Sequence, residues 1–305
     1  MSATGRRTPT EEIAVSTLVA VTTVILVFST PPAAQADTTE VKTMLTQDIT
    51  LKIIYDNNEG EEGFETDWGF SCLVEGLERT ILFDTGGDGP TLMNNMAALG
   101  IEPETVDVIV LSHEHQDHVG GLAGVLEHRA GGVESREEAG SEDRADLSVY
   151  VLKSFPESVK RVVMEHGAEL KEVEEPVEVF PGVMTTGEMR GNPGPNEQAL
   201  VITSERGLII LTGCAHPGIV EIVERAKELT GGEVLFAIGG GHLFRSSEKS
   251  IRETFSRLEE LGVRYLAPVH CSGDRARDIC REVFGERYVE CAVGRVIKGS
   301  VLTED

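Results

Sequence analysis

From residue 47 onward the chain alternates short apolar runs with amphipathic ones, and the run lengths sort them into strands and helices. Residues 49–55, 68–74 and 80–83 read as three strands, the last ending at Asp84-Thr85-Gly86-Gly87. Residues 91–99 have helical spacing and stop at Gly100. The run over 106–111 is apolar but for Asp107, as expected for a strand buried on both faces. The segment after His118 reads as helical to about Leu126. Residues 128–146 are rich in Gly, Glu, Ser, Arg and Asp and almost free of apolar side chains. They are expected to form a mobile acidic loop, with a lid over a substrate as the functional alternative. A strand over 147–152 and a helix over 156–166 follow. In the second half, 200–203 and 208–211 flank Ser204-Glu205-Arg206-Gly207 as a hairpin. Helices are expected over 218–229, 248–261 and 276–284, and strands over 234–238, 265–269 and 288–296. Ile251, Phe255, Leu258 and Leu261 fall on one stripe of the middle helix. Strands gathered in each half, with helices between, predict an α/β fold of two packed sheets covered by helices.

The first forty residues stand apart from this pattern. Arg6 and Arg7 precede an apolar stretch over 13–28, followed by Ser-Thr-Pro-Pro and Ala34-Gln35-Ala36. That order is the order of a secretory signal or an amino-terminal anchor. Glu11 and Glu12 weaken the reading, and the run is short for a spanning helix. The rival is translation from Met44, directly before the first strand. Residues 1–46 are therefore expected to be a signal- or anchor-like extension or an untranslated stretch, with 47–305 as the folded domain. The first alternative implies export or membrane attachment, the second a cytoplasmic protein.

Charge changes the picture of partners. The 305 residues carry a formal net charge of −25, and Arg outnumbers Lys by 19 to 8. Such a chain is repelled by nucleic acid phosphates and anionic lipid, so a small-molecule substrate is expected and nucleic acid is not. Bound divalent ions can still make one site positive inside an acidic shell. The five cysteines, Cys72, Cys214, Cys271, Cys280 and Cys291, match neither a disulfide scaffold nor a paired zinc motif and read as reduced thiols. Cys280 and Cys291 are expected in the core.

Chemistry concentrates in Ser112-His113-Glu114-His115-Gln116-Asp117-His118-Val119-Gly120-Gly121, just past a buried strand. Side chains two apart on an extended segment point the same way, so His113 and His115 can grip one ion. Asp117 and His118, at the start of the following helix, can turn toward a second. Only eight histidines occur in the chain, so three within six positions beside an Asp exceed what a solvated polar loop would place together.

This stretch, His-x-His-x-Asp-His after an apolar strand, resembles the signature of the metallo-β-lactamase superfamily, and Leu82-Phe83-Asp84-Thr85-Gly86 resembles its preceding Asp-Thr-Gly turn. The resemblance spans about 47–305 and implies a four-layer αββα sandwich with one or two divalent ions, zinc favoured, at the edge where the sheets meet. It implies metal ligands at His113, His115, Asp117, His118, His216 and His270. Cys214 stands in Gly213-Cys214-Ala215-His216, where the superfamily usually places a bridging Asp; it is a possible ligand or a neighbour of the site. Asp84 is expected to orient a ligating His rather than to ligate. His242, behind three glycines, is a candidate proton donor or substrate contact, and Asp117 a candidate to orient the attacking water. His128 and His166 are expected at helix ends, and Cys271 to pack inward.

The activity implied is that of a metal-dependent hydrolase using activated water on a small phosphorylated or ester substrate. A narrower resemblance points to a transferase. Tyr55-Asp56-Asn57, Glu197-Gln198-Ala199-Leu200, Gly240-Gly241-His242-Leu243 and His270-Cys271-Ser272-Gly273 are similar to the branch of dihydropterin-ribofuranosylaminobenzene 5′-phosphate synthases. That branch implies a phosphorylated pterin and a condensation. A diiron redox protein of the same fold, which carries Glu at the position of His115, and a non-catalytic metal-binding module are the remaining alternatives.

Overall fold

The computed structural model describes residues 44–60, 62–137 and 147–303, together with Met1, Ser2 and Gly5. The signal- or anchor-like stretch lies outside the described residues, as does 138–146 of the expected acidic loop. Among the described residues no helix is long and apolar enough to cross a membrane.

In chain order the first half holds β1 (Thr50–Asp56), β2 (Phe70–Glu75), β3 (Ile81–Phe83), α1 (Gly89–Ala98), β4 (Val108–Val110), α2 (Gln116–Val119), α3 (Leu122–Glu137), β5 (Ser148–Leu152), α4 (Glu157–Glu165) and β6 (Glu169–Val173). The second half holds β7 (Glu178–Phe180), β8 (Val183–Thr185), β9 (Leu200–Ser204), β10 (Gly207–Thr212), α5 (Ile219–Thr230), β11 (Val234–Gly240), α6 (Glu248–Glu260), β12 (Tyr265–Val269), α7 (Asp274–Phe284) and β13 (Val296–Lys298). One sheet runs β13-β1-β2-β3-β4-β5-β6 and the other β12-β11-β10-β9-β8-β7. The fold is the αββα sandwich.

Strand periodicity explains the layering. Along β10, Ile209 and Leu211 join the core between the sheets, while Leu208 and Ile210 join a second core with Ile222 and Val223 of α5 and Phe255 of α6. Alternate side chains of one strand thus serve two different layers. A strand buried on both sides reads as a continuous apolar run, which is why these strands stand out in the sequence.

Three expectations are corrected. α3 continues to Glu137, so 128–137 is helix rather than loop; Arg129 on this helix is buried and donates to the Glu104 and Val106 carbonyls. Aliphatic side chains alone do not reveal such an anchor. His128 consequently lies inside α3, donating Nδ1–H to the Gly124 carbonyl 2.8 Å away. The strand expected over 288–296 does not form: Tyr288 makes an isolated bridge to Leu266, and β13 begins only at Val296, paired with β1 across the chain termini. Strands β6 to β8 escaped the apolar pattern because β6 (Glu-Leu-Lys-Glu-Val) is an edge strand with exposed charges, and β7 and β8 span three residues each.

Phe236 on β11 is fully buried in the core between the sheets. Phe236→Ala is expected to cost about 3–5 kcal/mol of unfolding free energy, read by denaturant titration followed by circular dichroism. A loss below about 1 kcal/mol would show that the sheets do not depend on this contact.

Candidate metal centre

β3 to β6 run parallel, as do β10 to β12, so their carboxyl ends deliver several loops to common edges. Asp84 follows β3, 111–118 follows β4, 213–216 follows β10, 241–242 follows β11 and 270–272 follows β12. Four non-glycine residues have left-handed backbones among those described: Asp84 (φ 55°), Ala215 (57°), His242 (51°) and His270 (48°). All four lie in these loops. Each such conformation costs on the order of 1–3 kcal/mol and persists only where its surroundings fix it.

Asp84 shows what does the fixing. Its buried carboxylate accepts from Ser112 N at 2.6 Å, Ser112 Oγ at 2.7 Å and His118 Nδ1 at 2.7 Å. Because the Ser112 hydroxyl donates to Asp84, its oxygen accepts Nδ1–H of His113 at 2.9 Å. One carboxylate therefore sets two imidazoles, one directly and one through a hydroxyl, and turns the Nε2 of each toward the other ligand atoms, His115 Nδ1 for His113 and Cys214 Sγ for His118. The Asn57 amide oxygen does the same for His270 Nδ1 at 2.8 Å, and the Pro193 carbonyl lies 3.3 Å from His216 Nδ1.

The ligand atoms converge. His115 Nδ1 is 3.2 Å from His113 Nε2, and the rings of His113, His115 and His216 lie within 4.9 Å of one another. His113, Cys214 and His216 bring ligand atoms within 4.8 Å, and so do Asp117, His118, Cys214 and His270. Cys214 belongs to both groups, with Sγ 3.3 Å from His118 Nε2. A third group joins Cys214, His242 and Cys271. Asp84 stays behind the ligand atoms, and Cys271 is buried beside the cleft. All the residues singled out from the sequence meet in one place, while His166 caps α4 and His128 lies apart on α3.

The donor set fits divalent ions. His216 Nε2 and His270 Nε2 are buried without a hydrogen-bond partner of good geometry; Asp117 Oδ2 stands 3.2 Å from the latter, within ion-pairing distance. Buried nitrogens left unpaired, one in each ligand group, are costly unless a cation takes them. Burial and the surrounding imidazoles push His113 well below its usual value, and burial with His242 and His115 takes His216 down to about 4, so both offer neutral rings. Burial would lower His118 too, but Asp84 raises it to about 9. Burial works to raise the Asp117 carboxyl, and the adjacent His270 and His118 outweigh it and hold it well below the usual carboxylate range.

Sequence reasoning missed the roles of Glu197, Ser112 and Asn57. Glu197 is fully buried and accepts four backbone N–H groups: Gly213, Cys214 and Ala215 on Oε1 at 2.9–3.0 Å, and His216 on Oε2 at 2.8 Å. It moulds the loop that carries Cys214 and His216. Burial raises its carboxyl to about 7, opposed by the His216 and Ala215 N–H groups. The available signal was an acid three positions ahead of β9, whose first three residues are the apolar Leu200, Val201 and Ile202. Gly213 makes the approach possible, because a Cβ there would come within 2.0 Å of Ser112 Oγ. Gln198 bolts the two sheets' loops together, donating N–H to the Ser112 carbonyl and Nε2–H to the Leu111 carbonyl, each at 2.9 Å, while its Oε1 has no partner.

Comparison with known proteins gives the family and the fold. The sequence profile of the metallo-beta-lactamase superfamily matches residues 69–270. The chain is 29% identical over 271 residues to the 7,8-dihydropterin-6-methyl-4-(β-D-ribofuranosyl)-aminobenzene-5′-phosphate synthase of Methanocaldococcus jannaschii, covering 77% of this chain and 91% of the relative. Among solved structures, Tm1679, a metal-dependent hydrolase of the β-lactamase superfamily, superposes with a TM-score of 0.63 at 24% identity, covering 82% of this chain and 98% of its own. A diphosphatase of the PhnP family superposes with a TM-score of 0.53 at 16% identity over 82% and 97% of the two chains. At these identities the structures speak for the fold alone.

Glu197→Gln replaces an acceptor facing the loop N–H groups with an amide that presents its own donors. It is expected to weaken divalent-ion affinity roughly 10–100-fold, read by competition with a chromophoric chelator. Unchanged affinity would show that the Gly213–His216 loop holds its shape without this carboxylate.

Proposed function

The chain belongs to the metallo-β-lactamase superfamily, and from that premise we propose that it is a metal-dependent hydrolase-type enzyme directing activated water at a small phosphorylated or ester substrate. The observation that carries this is the opening of the ligand cluster into a cleft of about 500 Å³, lined by His115, Asp117, Cys214 and His242 among others. A closed structural site has no such access, which disfavours the non-catalytic module. The imidazole of His115, where diiron relatives carry Glu, disfavours the redox alternative.

His113, His115 and His216 would hold one divalent ion and Asp117, His118 and His270 a second, with Cys214 within reach of both. Nitrogen donors with one sulfur suit zinc. Ions bound there supply Lewis-acid polarisation of a phosphoryl or carbonyl oxygen and lower the pKa of water from ~15.7 to about 7. Asp117, kept ionised by its neighbours, orients the attacking water and accepts its hydrogen bond. His242 faces the same cleft with Nδ1 unpartnered, and Cys271 beside it raises its affinity for a proton, which suits donation to a leaving oxygen. The net charge of −25 supports a small substrate over a nucleic acid. A second reading is a transferase of the dihydropterin synthase type. Its support is the length over which the chain follows the Methanocaldococcus relative, through both halves of the site.

His115→Ala is expected to lose metal and phosphoester hydrolysis together, measured by elemental mass spectrometry and initial rates. His242→Gln is expected to keep its metal while kcat falls on the order of 10²–10⁴-fold. An active, metal-free His115→Ala protein would overturn the scheme.

A further inference from the structure

One thiol in the cleft stands outside both sets of histidine ligands. Cys271, just past β12, lines the cleft together with Cys214. Their sulfurs and a ring nitrogen of His242 lie within 4.8 Å of one another. The Cys271 S–H points at the Cys214 carbonyl, 3.7 Å away. Gly240, at the end of β11, makes room for this approach, because a Cβ there would come within 2.6 Å of Cys271 Sγ and 3.2 Å of Cys214 Cα. Cys214 and Cys271 are nearly closed off from bulk water, at 3% and 1% exposed. Yet they sit on the wall of a cavity of about 500 Å³, which admits a molecule of a few atoms. The other three cysteines, Cys72, Cys280 and Cys291, are packed in the apolar cores.

A disulfide holds its sulfurs about 2.05 Å apart, so this pair has to close by no more than about 3 Å, a distance that side-chain rotation supplies. The consequence falls on Cys214, whose sulfur belongs to both ligand groups. A carboxylate in that place, as the superfamily usually has, resists peroxide; a thiol does not. We propose that Cys214 and Cys271 are a redox pair that a hydroperoxide closes into a disulfide, withdrawing Cys214 from both ligand groups and releasing metal. The Cys271 sulfur, which holds no place among the histidine ligands, attacks the O–O bond of the peroxide. One oxygen stays on sulfur as a sulfenic acid, and the other leaves as water. Cys214 then attacks that sulfur, and the sulfenic oxygen leaves as a second water. Two electrons pass from the sulfur pair to the peroxide, and the two thiol protons end in the waters. A sulfur held in a disulfide has no thiolate charge to offer an ion. This control acts on the proposed metal centre and rests on that reading of the cluster.

The experiment treats zinc-loaded, full-length protein with hydrogen peroxide. Two of the five thiols are expected to be lost, counted by thiol titration in denaturant. Peptide mapping without reduction is expected to find Cys214 joined to Cys271. Even an outer partner of a ligand is worth about 10–100-fold in affinity, so loss of Cys214 itself is expected to weaken zinc binding roughly 100-fold. A chromophoric chelator reads the zinc released, and dithiothreitol is expected to restore both thiols and zinc binding. Cys271→Ser, which removes the first thiol to react, is expected to release zinc on the order of tenfold more slowly at the same peroxide concentration. Cys214→Asp, which restores the carboxylate, is expected to keep its zinc throughout. The redox pair is overturned if Cys214 and Cys271 do not join, or if the mapped bond links Cys72 to Cys291 instead. It is equally overturned if Cys271→Ser loses zinc as fast as the parent, or if the disulfide forms while zinc stays bound. Thiol counts and mapping do not depend on turnover. Protein that forms the bond and hydrolyses no phosphoester loses only the hydrolase reading. Protein that hydrolyses phosphoesters and forms no such bond loses only the redox pair.

Discussion

The buried carboxylate of Asp84 is the interaction on which the site depends. It sits at the end of β3 in a left-handed conformation, fully removed from water, with both oxygens engaged by Ser112 and His118. A buried charge of this kind is tolerable only when it is satisfied, and the groups that satisfy it are those that aim two imidazoles. The cost of burial and the precision of the site are thus the same fact. The Thr85 N–H and hydroxyl, both donating to the His118 carbonyl, hold the start of α2 against this turn from the other side.

Glu197 performs the corresponding task in the second sheet. Asp84 orders side chains, whereas Glu197 orders backbone, gathering four consecutive N–H groups into one carboxylate. The resulting loop puts Cys214 between the two ligand groups, at the place where a bridging ligand is shared. A sulfur there is softer and larger than the carboxylate oxygen it replaces, so the donor set is softer than an Asp-bridged one. Cys271 and His242 approach the same sulfur from the cleft wall.

Around this core of charge the cleft is built of unlike materials. Carboxylate, imidazole and thiol line its floor, and exposed aromatic rings stand at its mouth. That division separates the groups that can activate a reacting atom from those that can choose which molecule arrives. It also gives a strongly acidic protein a local surface where its overall charge does not dictate the partner.

The sequence by itself determined the strands buried on both faces, most of the helices and the histidine-rich loop after β4. These are local: continuous apolar runs, helical spacing and His113-x-His115-x-Asp117-His118 need no partner to be read. It placed His216, His242 and His270 at strand ends for the same reason. Tertiary structure alone decided what unites them. Asp84 and Ser112 are 28 positions apart, Glu197 and His216 are 19 apart, and Asn57 and His270 are 213 apart. No local pattern encodes such pairs. The strand β13 and the length of α3 were likewise settled by distant contacts: pairing with β1 across the chain, and a buried Arg129 reaching the carbonyls before β4. Hydrophobic periodicity records how a segment meets the layer beside it, while hydrogen bonds between loops depend on how whole sheets are stacked, and only the folded chain fixes that.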